Sequence, residues 1–361
     1  MSTQPPAIGV LIVDDSATVR AVLRRLIGGV PDLHVLGEAT DGEQAVEQTI
    51  RLSPDVILMD IEMPVMDGFA ATERIMAVRP TPILVVTSRA NRNQVRTSFE
   101  AMRRGAIEVI PKPEDPAGWD ILARTLPLTI RAAAQARTGR TAKIARPHTR
   151  PGREPLRGTG NGAATLSSSA RIRYVAIGAS TGGPWAVHTL LAELPAAPPA
   201  AVLVVQHIAP GFEEGFAEWL ASDLKRDVRV ARDGEVATPG TVRVAAAGAH
   251  LLLEAGGVLR LDATRPSRTV HRPSADELFL SCAASCPEAT AGVLLTGMGS
   301  DGAQGLAALR EAGGLTMVQD EASSAVFGMP RAALEAGAAT IALPPEEIGR
   351  LLARSWQGGG S

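Results

Sequence analysis

Two groups of residues in this chain have types and spacings that can do chemistry. The first lies in "YVAIGASTGGPWAV", where an apolar run ends in small residues and Gly182-Gly183-Pro184 opens a helix. Gly178-Ala179-Ser180-Thr181-Gly182 fits G-x-S-x-G, in which a serine is held out on a tight strand-to-helix turn. The helix start also offers unpaired N–H groups and the positive end of a dipole, both suited to a developing oxyanion. The same corner could cradle a phosphate, and the pentapeptide alone does not choose between the two. A dinucleotide loop is a poorer fit: it asks for G-x-G-x-x-G, which the glycines at 178, 182 and 183 do not give, and the next strand ends in Gln206-His207 where an acid is wanted.

A serine hydroxyl needs a base, and the base needs a group to orient it. His207 follows "AAVLVVQ" and so stands at the carboxyl end of the neighbouring strand, level with Ser180. Asp301 lies in "GVLLTGMGSDGAQG", another apolar strand ending in a glycine-rich corner. Each has an ordinary alternative: a histidine at a strand end is commonly a loop or core residue, and Asp301 can cap the helix that follows it. The order Ser, His, Asp differs from that of α/β-hydrolases, but geometry and not chain order defines a triad. His34, His148, His250 and His271 lack such placement, and His188, two helical turns past the serine, reads as a packing residue.

The second group is acidic. Asp14 and Asp15, Asp60, Thr87 and Lys112 all fall at the ends of apolar runs, where ligands of doubly wound sheets sit. Three converging carboxylates repel unless a divalent cation neutralises them, and oxygen-only donors point to Mg²⁺. A carboxylate beside that metal is a phosphoryl acceptor, with Lys112 and the Thr87 hydroxyl placed to bind the arriving phosphate.

The elements that must position these residues follow from periodicity. Residues 9–14, 34–38, 56–60, 83–87 and 109–110 read as strands, and "ATVRAVLRRLIG" and "DGEQAVEQTIRL" repeat apolar residues at helical spacing. Alternating strands and helices imply a parallel sheet covered on both faces. The alternation resumes with strands at 174–178, 201–206 and 292–296, while the turn-rich stretch 227–272 suggests a hairpin arm. Between these halves, residues 131–173 hold ten Lys/Arg and one acid, Glu154, among Pro, Gly, Ser and Thr, too little apolar surface to repay ordering. This basic stretch is a tether, either a solvated spacer or, through Arg137, Arg140 and Arg146, a docking strip for an acidic partner.

Bulk properties remove several function classes. A net charge of −2 argues against a global nucleic-acid or membrane binder. No stretch of 18 apolar residues and no basic-then-apolar leader is present, so the expectation is a cytoplasmic protein without membrane insertion. Cys282 and Cys286, four apart, share a helix face with no second Cys/His pair to complete a zinc site.

The pattern "VDD", "LMDIEMPVMDG", "VVTS" and "PKP" strongly resembles the receiver domain of two-component response regulators. The resemblance implies a flavodoxin-like, five-stranded doubly wound parallel sheet over 8–130, with Asp60 as phosphoacceptor. It makes Asp14, Asp15, Asp60 and the Glu62 backbone carbonyl the Mg²⁺ shell, and Thr87 and Lys112 the switch and phosphate-binding residues. Receivers commonly carry an aromatic switch residue three positions before the lysine; here that position is Val109, so aromatic rotation cannot carry the signal out.

"IGASTGGP", "QH", "RPSADELF", "LLTGMGSDGAQGL", "QDEASSAVFGMP" and "ALEAGAA" together look like the catalytic domain of the CheB family, the protein-glutamate methylesterases and glutamine deamidases of bacterial chemosensory pathways. That implies a tether over 131–171 and a doubly wound α/β/α domain with a mostly parallel sheet over 172–353. Ser180 becomes the nucleophile, His207 the base and acid, Asp301 the orienting carboxylate, and the Thr181 and Met298 N–H groups the oxyanion donors. Methylated chemoreceptors are the implied substrate and a chemosensory histidine kinase the phosphodonor, with Mg²⁺ needed for phosphorylation and no cofactor for ester hydrolysis. One stretch departs: the family commonly has Ala-Pro-Gly ahead of a histidine, and here the chain reads "VAAAGAH" before His250. Two rival readings are a non-catalytic two-component regulator or phosphate sink with a vestigial triad, and a nucleotide-dependent oxidoreductase.

Overall fold

The computed structural model describes residues 7–88, 99–140, 172–266, 268 and 271–357, with the backbone alone at 135–140. Two parallel sheets organise the chain. The first is built from β1 (Ile8–Val13), β2 (Leu33–Ala39), β3 (Val56–Met59), β4 (Ile83–Thr87) and β5 (Glu108–Pro111), in the order β2-β1-β3-β4-β5. Every pairing in it is parallel. This is the flavodoxin-like order, in which ligands gather outside the carboxyl ends of the strands. α1 (Ala17–Gly28), α2 (Gly42–Leu52) and α3 (Gly68–Val78) start where the sequence supplies side-chain caps: Ser16, Asp41 and Asp67 each accept a hydrogen bond from an N–H of the first turn. α4 (Pro116–Arg140) closes this unit.

α4 extends ten residues into the segment read as a tether. The alanine-rich "RAAAQAR" favours helix strongly enough to continue it beyond the packed part. Residues 141–171, with Arg146 and His148, lie outside the described residues, as do the side chains of Arg137 and Arg140.

The second sheet has seven strands in the order β14-β13-β12-β6-β7-β9-β8, all paired in parallel. Its centre is β6 (Tyr174–Ala179), β7 (Ala201–Gln206) and β12 (Thr290–Leu294), each buried along its whole length as a strand covered on both faces must be. Its helices are α5 (Gly183–Glu193), α6 (Glu213–Leu224), α7 (Ala275–Ser285), α8 (Ala303–Glu311), α9 (Met329–Glu335) and α10 (Pro345–Gln357).

The expected hairpin arm is shorter than 227–272. β8 (Asp227–Val230) and β9 (Thr241–Val244) join the main sheet in parallel, and only β10 (His250–Leu253) and β11 (Leu259–Asp262) form an antiparallel pair. Four-residue apolar alternations such as "DVRV" and "TVRV" do not state their partner; the sheet edge available to them does. Cys282 is buried on α7 as expected of an apolar face, and burial pushes its thiol up.

The two units meet through side chains. Phe99 of the first is almost wholly buried and packs on Phe216 and Trp219 of α6, with ring centroids 5.7 and 5.8 Å away. Arg103 reaches Asp223 at 3.3 Å. Val109, at the position where an aromatic was absent, is buried in the same apolar cluster, which runs from the first unit into the second.

Candidate functional site

Strand register brings Ser180 and His207 side by side. Ala179 pairs with Gln206 across β6 and β7, and the His207 N–H donates to Ala179 O at 2.9 Å. On the other side Gly178 pairs with Leu294 of β12, and the Ser180 N–H donates to Thr296 O at 3.0 Å. The serine thus stands between the ends of two neighbouring strands. The turn is locked from both sides: Gln206 Nε2 donates to the carbonyls of Ser180 and His207, both at 2.9 Å, and the Thr296 hydroxyl to that of Thr181 at 3.0 Å.

Two glycines are required by this corner. Gly182 has φ +74°, and a Cβ there would lie 2.4 Å from Ala325 Cβ. A Cβ on Gly297 would lie 2.7 Å from Ser180 Cβ, so the loop that carries Met298 presses directly on the serine. Thr181 is buried and Met298 half-buried.

Asp301 meets His207, with its Oδ2 2.7 Å from His207 Nε2. It precedes Gly302, the N-cap of α8, which offers no side chain. Its carboxylate instead sits at the start of α7, taking the Ser274 hydroxyl at 2.6 Å and the N–H groups of Ala275 and Asp276 at 2.8 and 3.3 Å. The positive end of the α7 dipole favours a negative charge there. Burial works against that charge, but hydrogen bonds and the field from His207, with help from Ser274 and Ala275, outweigh it and bring the carboxyl to about 2.

With Nε2 committed to Asp301, His207 Nδ1 is buried and has no hydrogen-bond partner among the described residues, Ser180 included. His271, set aside on sequence placement, stacks on His207 with ring centroids 3.9 Å apart and planes 11° from parallel. Burial, then the neighbouring His207, lowers His271 to about 4. Neither His271 nor Ser274 was singled out from the sequence, although "RPSADELF" contains a capping-box spacing from Ser274 to Glu277 that marks the start of α7. Of the other histidines, His188 packs as expected, in a cluster with Trp185 and Trp219 and with Nε2 2.6 Å from Asp223. His250 is fully buried on β10.

The acidic group converges at the carboxyl edge of the first sheet. Ligand oxygens of Asp14, Asp15 and Asp60 lie within 4.8 Å of one another. Lys112 Nζ bridges Asp14 Oδ2 at 2.7 Å and Asp60 Oδ2 at 2.6 Å. Burial raises Asp60 above the usual carboxylate range, even against Lys112. Burial opposes the Lys112 charge as well, but its contacts with Asp14 and Asp60 hold it above the ordinary lysine value. Thr87 is buried at the end of β4, and the Lys112 N–H donates to its carbonyl at 2.8 Å. Glu62 follows in the exposed loop after β3. Gly68 lies so close to this loop that a Cβ would meet Asp60 O at 2.0 Å. Oxygen-only donors around a mostly buried, convergent cluster fit a hard divalent cation.

A doubly wound parallel sheet with an acidic pocket, joined to a second one with a serine–histidine–aspartate corner, defines a phosphorylatable receiver linked to a hydrolase-type domain. Residues 10–120 match the response regulator receiver domain, and residues 175–352 match the CheB methylesterase model. The chain is 44% identical, over 96% of its length and 98% of the relative's, to a protein-glutamate methylesterase/protein-glutamine glutaminase of Anaeromyxobacter dehalogenans. It is 42% identical to one of Geobacter metallireducens, over 94% of this chain and 96% of that one. The Thermotoga maritima CheB methylesterase catalytic domain is similar at 36% identity, covering 51% of this chain and 99% of that one with a TM-score of 0.49. The chain belongs to the CheB methylesterase family.

Proposed function

We propose that this chain is a phosphorylation-activated hydrolase that removes methyl esters from glutamate side chains of chemoreceptors, and deamidates receptor glutamines, in the cytoplasmic arm of a bacterial chemosensory pathway. The observation that carries this reading is the approach of His207, held by Asp301, to the turn of Ser180 at one sheet edge. We assign 8–130 to the receiver, 172–353 to catalysis and the residues between to a tether.

In this reading the Ser180 hydroxyl attacks the ester carbonyl as His207 Nδ1, the nitrogen left by the Asp301 contact, takes its proton. Asp301 fixes the ring and balances the imidazolium. The Thr181 and Met298 N–H groups stabilise the oxyanion. His207 returns the proton to the leaving methoxide, methanol departs, and water opens the acyl-serine by the same proton route to give glutamate. With a glutamine amide, ammonia leaves in place of methanol.

Asp60 accepts phosphate from a histidine kinase, with Lys112 and Thr87 binding its oxygens. Asp14, Asp15, Asp60 and the Glu62 carbonyl would hold Mg²⁺, which when bound neutralises the converging charge during phosphorylation. The receiver packs on α6 of the catalytic unit through Phe99 and Arg103, and in this reading that docking restricts access to Ser180 until phosphorylation shifts it. The test is methanol release from a methylated receptor cytoplasmic fragment, with and without a small phosphodonor and Mg²⁺. Release should require Ser180, and its stimulation should require Asp60; phosphorylation without any release would favour the non-catalytic regulator.

A further inference from the structure

We infer that Asp276 is a positioning residue for the proposed hydrolysis, holding Asp301 against His207 through crossed helix caps between α7 and α8. The inference rests on the esterase reading of Ser180 and names what fixes its orienting carboxylate.

Neither helix caps itself. α7 follows Ser274 and α8 follows Gly302, and neither residue gives its own helix a side-chain hydrogen bond. The Ser274 hydroxyl, a usual acceptor at such a start, is turned onto Asp301 Oδ1 at 2.6 Å. The caps are supplied crosswise instead. Asp301, immediately before the Gly302 N-cap of α8, takes the N–H groups of Ala275 and Asp276 in the first turn of α7. Asp276, the second residue of α7, takes the Gly305 N–H in the first turn of α8, with its Oδ1 at 2.7 Å.

The two helix starts touch with almost nothing between them. A Cβ on Gly305 would lie 2.4 Å from Asp276 O, and one on Gly302 would lie 3.1 Å from Ala275 Cβ. Both carboxylates are only 2% exposed, so these bonds are made away from bulk water. Two buried like charges repel. Burial raises the Asp276 carboxyl above the usual carboxylate range; the Gly305 N–H works against that rise and the Asp301 charge adds to it. Crossing the caps offsets the repulsion, because each carboxylate faces the positive end of the other's helix.

The consequence falls on His207. Asp301 Oδ2 is shared by the Ala275 N–H at 2.8 Å and His207 Nε2 at 2.7 Å. A slip of α8 along α7 therefore draws the carboxylate off the ring. Asp276 opposes that slip, although it touches neither the ring nor the serine turn in any bond described here.

The experiment uses the full chain activated with a small phosphodonor and Mg²⁺. Methanol release gives kcat and KM for wild type, Asp276→Ala, Asp276→Asn and Asp276→Glu, each alone and combined with Asp301→Asn. Asp276→Ala should lower kcat about 10²-fold, the scale of a 1 Å misplacement, with KM nearly unchanged. Asp276→Asn keeps an acceptor for Gly305 and should recover most of that loss. Asp276→Glu keeps the charge but adds a methylene at a tight contact, and should fall below Asp276→Asn. Beside Asp301→Asn, none of the three should cost more than about twofold, because residues acting as a unit are not additive. Amide hydrogen exchange is followed in parallel. Asp276→Ala should lower protection at Ala275, whose partner is Asp301, as well as at Gly305.

Wild-type kcat in Asp276→Ala, equal losses with and without Asp301→Asn, or unchanged protection at Ala275 overturns the proposal. If Asp276→Ala does not fold, the order of Asp276→Asn above Asp276→Glu supports it and the reverse order overturns it. Absence of release from activated wild type would refute the esterase reading separately, and protection at Ala275 would still decide whether Asp276 holds Asp301.

Discussion

His207 and His271 lie face to face, 3.9 Å between ring centroids and 11° from parallel. The stack covers one face of the proposed base while Asp301 holds its edge, so the ring is restrained in two directions at once. His271 remains neutral above about pH 4 and adds no repelling charge as His207 takes a proton. Aromatic stacking contributes about 0.5–1.5 kcal/mol beyond area burial, a factor of roughly 2–10 in rate. His271→Ala should lower kcat by that factor with KM nearly unchanged, and His271→Phe should restore much of it; steady-state methanol release reads both.

Asp301 is joined to His207, Ser274 and the first N–H groups of α7, so its removal has two separable consequences. Asp301→Asn should cut kcat by about 10³–10⁴, as expected when a triad carboxylate no longer holds the ring tautomer. It should also lower stability in a pH-dependent way. The carboxyl is depressed from 3.8 to about 2, so its contribution is present above 3.8 and disappears as pH falls through 2. Urea unfolding at pH 7 and near pH 2 should show the wild type and variant converging at the acid end.

Phe99 links receiver to catalytic unit through Phe216 and Trp219. Truncating a buried phenylalanine costs about 3–5 kcal/mol, and the share borne by this contact falls on the closed state. Phe99→Ala should raise unphosphorylated methanol release by at least tenfold and leave activated turnover nearly unchanged. Arg103→Ala removes a half-exposed pair and should change the ratio by only a few-fold.

The acidic pocket makes a metal prediction that does not depend on turnover. Millimolar Mg²⁺ should raise the melting temperature of the wild-type receiver transition, because a ligand of the native state stabilises it by mass action. Asp15→Asn, which leaves the Lys112 contacts with Asp14 and Asp60 in place, should abolish that rise in calorimetry.

Much of this protein was determined by its sequence alone. Apolar runs and glycine breaks located β1, β3, β4, β6, β7 and β12, and residues at their carboxyl ends must share a sheet edge once the strands run parallel. That is why Asp14, Asp60 and Lys112 could be grouped, and Ser180 with His207, before any fold was known. Local pattern was less informative where it had no memory of partners: β8 and β9 joined the main sheet, and alanine carried α4 past the apparent start of the tether. The tertiary structure alone decided that Asp301 anchors α7 and that His271 lies on His207. Each is a contact between elements distant in the chain, set by how helices and sheets pack, and periodicity within one element holds no record of it.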